Sequence, residues 1–125
     1  DYEITGIYLT GYASPEGSYA QNEVLSRDRT RALRDYLRCR YSFPANLYHV
    51  DWRGEDWIGL KRLILLYGMP NEEQVLSIMD NYNVFEGREK RLMDLNNGKP
   101  YRYMMKHFFP ELRRVDYKIT YKIIK

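Results

Sequence analysis

An α/β fold, a mixed sheet with helices packed on it, is predicted by two features of this 125-residue chain. A strand, a long helix and a second strand come first. A helix of about 20 residues between strands marks a right-handed crossover joining parallel strands. After a helix-rich middle the chain closes on a strictly alternating strand, which completes the mixed sheet, and the helices must cover at least one of its faces. The order is β-α-β, a helical stretch, then β, and the length fits one domain over residues 1–125.

In the first strand, about residues 3–12, Ile7, Leu9, Gly11 and Ala13 alternate with Tyr8, Thr10 and Tyr12. Ser14-Pro15-Glu16-Gly17-Ser18 breaks it. Ser18 with Gln21 three residues on is a capping-box pattern, and helical period runs to Arg40. At about 100° per residue, Leu25, Ala32, Leu33 and Tyr36 fall in one apolar stripe, with Arg27, Arg31, Arg34 and Arg38 on the opposite side. Tyr48, Val50 and Trp52 alternate with His49, Asp51 and Arg53 in a second strand. Asp56 caps a helix over Trp57–Tyr67 that Gly68 closes. Asn71 with Gln74 caps another through about Asn81; a further helix runs from Glu86 to Leu95, ended by Asn96-Asn97-Gly98. Pro100 starts a short last helix and Pro110 ends it. In the final strand Val115, Tyr117, Ile119, Tyr121 and Ile123 share one face, and Asp116, Lys118, Thr120 and Lys122 the other.

Composition narrows the function classes. With 44% apolar and 30% charged residues the chain is globular rather than disordered. One cysteine, Cys39, excludes an internal disulfide or a multi-cysteine zinc site, and His49 and His107 are too few for an ordinary metal centre, so no metal or cofactor is expected. The longest apolar run, Leu63–Tyr67, is far short of a membrane helix, so any membrane attachment is expected through parts outside this fragment. The chain opens directly on a strand, the mark of a fragment cut at a domain boundary. Thirteen tyrosines against four phenylalanines favour half-wet faces over a greasy interior. The net charge of +3 raises nucleic acid as a partner, but acids such as Asp28, Asp35, Glu89 and Asp94 interrupt the basic runs and no nucleic-acid-binding signature is present. No nucleophile-base-orienter set is visible, so no enzyme activity is expected.

Arg29 departs from the helical pattern. It lies four after Leu25 and four before Leu33, within the apolar stripe. An arginine there must snorkel, pair with an acid or meet an anionic ligand. The loop Ser14–Ser18 leads into the helix N-terminus, where unpaired amides and the helix dipole attract anions.

Gly11-Tyr12-Ala13-Ser14-Pro15-Glu16-Gly17-Ser18, then Asn22, Leu25-Ser26 and Arg29, resembles the OmpA-like peptidoglycan-binding domain. Tyr36-Leu37, Gly54-Glu55 and Leu112-Arg113-Arg114-Val115-Asp116 extend the resemblance to both ends of the chain. It implies a non-catalytic domain on the periplasmic face of an outer membrane that binds the diaminopimelate of the peptidoglycan stem peptide. The family's arginine, here Arg29, takes a carboxylate; its aspartate, which takes the ammonium, is here Ser14. Glu16, two residues along, is the candidate to replace that charge. Gly17, Ser18 and Asn22 complete the implied ligand set, with Arg113, Arg114 and Glu55 in support.

A second departure is a helix-rich insert over about 56–112, where the family has room for one helix. It resembles a long-insert variant found in Bacteroidetes envelope proteins. Leu60, Leu63, Ile64 and Tyr67 form a stripe expected to face the sheet. Val75, Leu76, Ile78 and Met79 make a second apolar patch, and Tyr101, Met104, Met105, Phe108 and Phe109 a third. They pack on one another and on the sheet, or form a groove for an envelope or fimbrial protein. The alternative function is thus a protein-interaction or fimbria-accessory module that kept the fold and lost peptidoglycan binding.

Overall fold

In a computed structural model describing residues 1–125, β1 (Tyr2–Ala13) is the middle strand of three. β2 (Tyr48–Glu55) pairs with it in parallel and β3 (Arg114–Ile123) antiparallel, so the sheet is mixed with order β2-β1-β3. The crossover between β1 and β2 is α1 (Tyr19–Arg40), whose N-cap Ser18 accepts the Gln21 N–H at 3.3 Å.

α1 lies on the sheet by a different face from the one its apolar residues outline. Asn22, Ser26 and Thr30 are buried, while Leu25 and Tyr36 are 47% and 56% exposed. The buried face is therefore turned by about one residue, ~100°, from the apolar stripe. The reason is the close approach at Gly11: a Cβ there would sit 1.8 Å from Thr30 Oγ1 and 2.5 Å from the Ser26 carbonyl oxygen. Only small side chains fit on a helix that near to a strand. Ser26 also accepts the Gly54 N–H at 3.1 Å and donates to the Glu23 carbonyl at 2.9 Å, so its buried hydroxyl is satisfied on both sides.

Between β2 and β3 run α2 (Trp57–Tyr67), α3 (Glu72–Asn81), α4 (Arg88–Asp94), α5 (Lys99–His107) and α6 (Phe109–Leu112), with a 3₁₀ turn over Leu95–Gly98. Asp56 caps α2 by accepting the Gly59 N–H at 2.9 Å. Asn71 does not cap α3 with its side chain: it takes the left-handed conformation, φ 58°, and its amide bonds to the Gln74 side chain. Pro110 lies within the extra short helix α6 rather than ending α5, because its fixed φ suits a first turn.

The insert closes a core of its own. Leu60, Ile64, Val75, Met79, Leu92, Tyr101, Met104, Phe108, Phe109 and Leu112 form one buried cluster drawn wholly from α2–α6. The α2 stripe accordingly faces the other insert helices and not the sheet, and Tyr67 is left exposed. Ile7, Leu9 and Ala13 are buried beneath α1, outside that cluster.

Candidate ligand site at the end of β1

The carboxyl end of β1, the loop Ser14–Ser18, the start of α1, the end of β2 and the start of β3 converge. Arg29 lies on the edge of the buried face of α1 and donates from Nη1 to the Tyr12 carbonyl at 2.7 Å. It makes no ion pair, unlike Arg113 and Arg114, which flank the same strand end. A partly buried guanidinium held by one backbone oxygen keeps most of its donor fork for an anion.

The other residues that the resemblance implies bond mainly to one another. Ser14 is buried, and its hydroxyl accepts from Arg113 Nε at 3.1 Å. Glu16 is ion-paired with Arg113 Nη2 at 3.1 Å, which neutralises the carboxylate that would replace the family's aspartate. Asn22 donates from Nδ2 to the Glu16 carbonyl (2.8 Å) and to Glu55 Oε2 (2.7 Å), tying loop, helix and β2 together. Glu55 also accepts from Trp57 Nε1 at 3.0 Å. Arg114 reaches Asp56 at 2.7 Å and Asp116 at 2.9 Å, with its guanidinium 4.2 Å from the Tyr12 ring centroid. The ion pairs of Arg113 and Arg114 go to Glu16, Asp56 and Asp116 and not to Glu55. Ser18 is spent on the helix cap.

Two participants come from the insert, and no sequence signal marked them. Glu89 of α4 accepts the Gly17 N–H at 3.0 Å and the Tyr101 hydroxyl at 3.1 Å, both on Oε2. A carboxylate of the protein itself therefore occupies the Gly17 amide of the loop. Partial burial raises the Glu89 pKa above the usual carboxylate range, with Glu16 adding repulsion against the lowering effect of its two hydrogen bonds. Burial raises Glu55 as well, and Glu89 adds to it while Asn22, Trp57 and Arg88 oppose. Burial, followed by Glu89, raises Tyr101, which stays a neutral donor. No three His, Cys, Asp or Glu side chains converge in a way that would hold a metal ion.

The resembling motif thus divides by role. Gly11, Asn22, Ser26 and Glu55 hold the elements together, and Arg29 keeps unused donors. His49 stacks on Tyr8 at 4.6 Å and His107 packs by Tyr103 at 4.4 Å. Cys39 is an exposed free thiol. No helix is long and apolar enough to cross a membrane.

No protein-family model matches the chain. Over 50 residues it is 41% identical to outer membrane protein 41 of Porphyromonas gingivalis, a match that covers 40% of this chain and 13% of that protein.

Proposed function

We propose that this chain is a non-catalytic domain of the bacterial cell envelope that binds the carboxylate of a diaminopimelate-containing peptidoglycan stem peptide through Arg29. The observation that carries the proposal is that Arg29 has no acidic partner where Arg113 and Arg114 do. The envelope setting draws on the partial likeness to an outer membrane protein, and the periplasmic face of the outer membrane follows from the ligand.

Binding through Arg29 is one-sided. With Ser14 in the aspartate position and Glu16 neutralised, the ammonium of the ligand has no free carboxylate to meet. Losing one charge-assisted contact of a zwitterion weakens binding by about tenfold or more. Titration of a soluble diaminopimelate stem peptide is expected to show weak binding to wild type and none to Arg29→Ala. Ser14→Asp sets two carboxylates against the single Arg113, leaves one surplus charge, and is expected to tighten binding about tenfold. Equal binding by wild type and Arg29→Ala overturns the reading.

One observation favours the alternative, a protein-interaction module that no longer binds the wall: Glu89 already occupies the Gly17 amide. Sedimentation with purified sacculi separates the two. Failure to sediment in both wild type and Ser14→Asp selects the interaction module.

A further inference from the structure

The loop Ser14–Ser18 is fastened from several sides. Ser14 and Pro15 are buried at its start. Arg113 holds the Ser14 hydroxyl and the Glu16 carboxylate, and Asn22 of α1 holds the Glu16 carbonyl. Ser18 is fixed by the helix it caps. Gly17 alone is held by the insert, through its N–H to Glu89 Oε2 at 3.0 Å.

Glu89 rides on a lightly fastened helix. α4 is entered through Gly87 at φ 79° and left through Asn96, Asn97 and Gly98 at φ 47°, 57° and 78°, so left-handed residues bracket it. Of its seven residues only Leu92 is buried in the insert core. Arg88 Nε and the Arg91 guanidinium both engage Tyr82, at its carbonyl (2.6 Å) and its ring (3.8 Å), and Arg88 also lies 4.7 Å from the Trp57 ring centroid. Tyr101 is the post against which the carboxylate is set: it is buried edge-on to Phe109, and its hydroxyl donates to the same Glu89 oxygen at 3.1 Å. Glu89 therefore bridges the insert core and the loop. Release of Gly17 leaves the carboxylate its Tyr101 partner, and the exposed Gly17 N–H meets water, so neither group is stranded.

We propose that Glu89 is an autoinhibitory latch: it holds the Gly17 turn of the loop against the insert, and the stem peptide binds the released loop, a regulation of the Arg29 site that rests on the function proposed above. The Gly17 N–H lies at the amino end of α1, where the helix dipole favours a carboxylate, and the insert supplies one from within the chain. Lys90 and Arg113 pair with Asp94 and Glu16 and not with Glu89, so displacing Glu89 strands no cation. A charge-assisted hydrogen bond favours the latched form by about tenfold, and the apparent affinity for a ligand of the released form falls by the same factor.

The test uses the full 125-residue chain and two readouts, hydrogen exchange at the Gly17 amide and titration with a soluble diaminopimelate stem peptide. Glu89→Ala is expected to speed Gly17 exchange about tenfold and to tighten peptide binding about tenfold. Tyr101→Phe keeps the buried ring, frees Glu89 from its post, and is expected to shift both readouts the same way by about threefold. Adding Arg29→Ala to Glu89→Ala is expected to abolish the gain in binding. Unchanged exchange at Gly17 in Glu89→Ala would overturn the latch whatever the ligand does. So would equal or weaker peptide binding by Glu89→Ala while wild type binds through Arg29, a result that leaves the Arg29 site standing. Tighter binding by Glu89→Ala that survives Arg29→Ala would support the latch and overturn the Arg29 site instead. Faster exchange with no binding by wild type or Glu89→Ala would overturn both the Arg29 site and the inhibitory role.

Discussion

The insert buries Phe109, Leu60, Ile64, Leu92 and Met104 at 2% exposure or less in a cluster drawn from five short helices. On the sheet, α1 buries Asn22, Ser26 and Thr30, and leaves Leu25 and Tyr36 in water. The insert is held mainly by apolar area. The sheet layer is held by close backbone approach and satisfied polar groups, with less apolar area under it. The difference explains why the candidate ligand site lies in the second region. A network of directed hydrogen bonds fixes side chains such as Asn22, Arg113 and Glu16 in place, and leaves Arg29 aimed with donors to spare.

The sharpest way to break this contrast is Phe109→Ala. Removing a fully buried ring from the insert core is expected to cost about 3–5 kcal/mol. Hydrogen exchange should show protection lost first in α2–α6, with β1 and α1 opening later; simultaneous loss in both regions would mean that they share one cooperative core.

Gly11→Ala probes the other region. Its methyl group collides with Thr30 and with the Ser26 backbone, so overpacking is expected to cost about 1–3 kcal/mol. Because the Ser26 contact is backbone, Thr30→Ala should rescue it only in part. Denaturant melts of both variants check this.

A smaller effect is expected at Glu89. Its folded-state pKa, like that of Glu55, lies above the unfolded value. Each therefore favours folding most when protonated, and its contribution declines as pH rises through the folded pKa. Glu89→Gln keeps an acceptor for the Gly17 N–H and removes the charge. It is expected to raise the melting temperature slightly at neutral pH, with the gain shrinking as pH falls into the ordinary carboxylate range. An unchanged or lower melting temperature at pH 7 would show that the ionised carboxylate is a net stabiliser.

Arg29→Ala should be the mildest for folding. It removes one hydrogen bond to a carbonyl, worth about 1 kcal/mol, and so separates the proposed ligand role from the structural roles of its neighbours.

Much of this was legible in the chain because it is local. Alternation at Ile7, Leu9 and Val115–Ile123 is a property of neighbours, as are the Ser18 and Asp56 caps. The contact face of α1 was not legible, for a physical reason. A hydrophobicity stripe assumes that apolar side chains set the contact, whereas here the gap left by Gly11 admits only small residues. The site was half legible: Arg29 stood out by position, but the partners of Glu16 and Gly17 did not. Arg113 lies 97 residues from Glu16, and Glu89 lies 72 from Gly17.

The sequence alone determined the order β-α-β, helical stretch, β, the α/β class and the identity of the arginine worth testing, since periodicity, caps and residue type act over a few positions. Only the tertiary structure decided which face of α1 meets the sheet, that the insert packs on itself, and that Glu16 and Gly17 are already engaged. Those outcomes depend on which distant surfaces meet and how closely, and no short-range pattern encodes that distance.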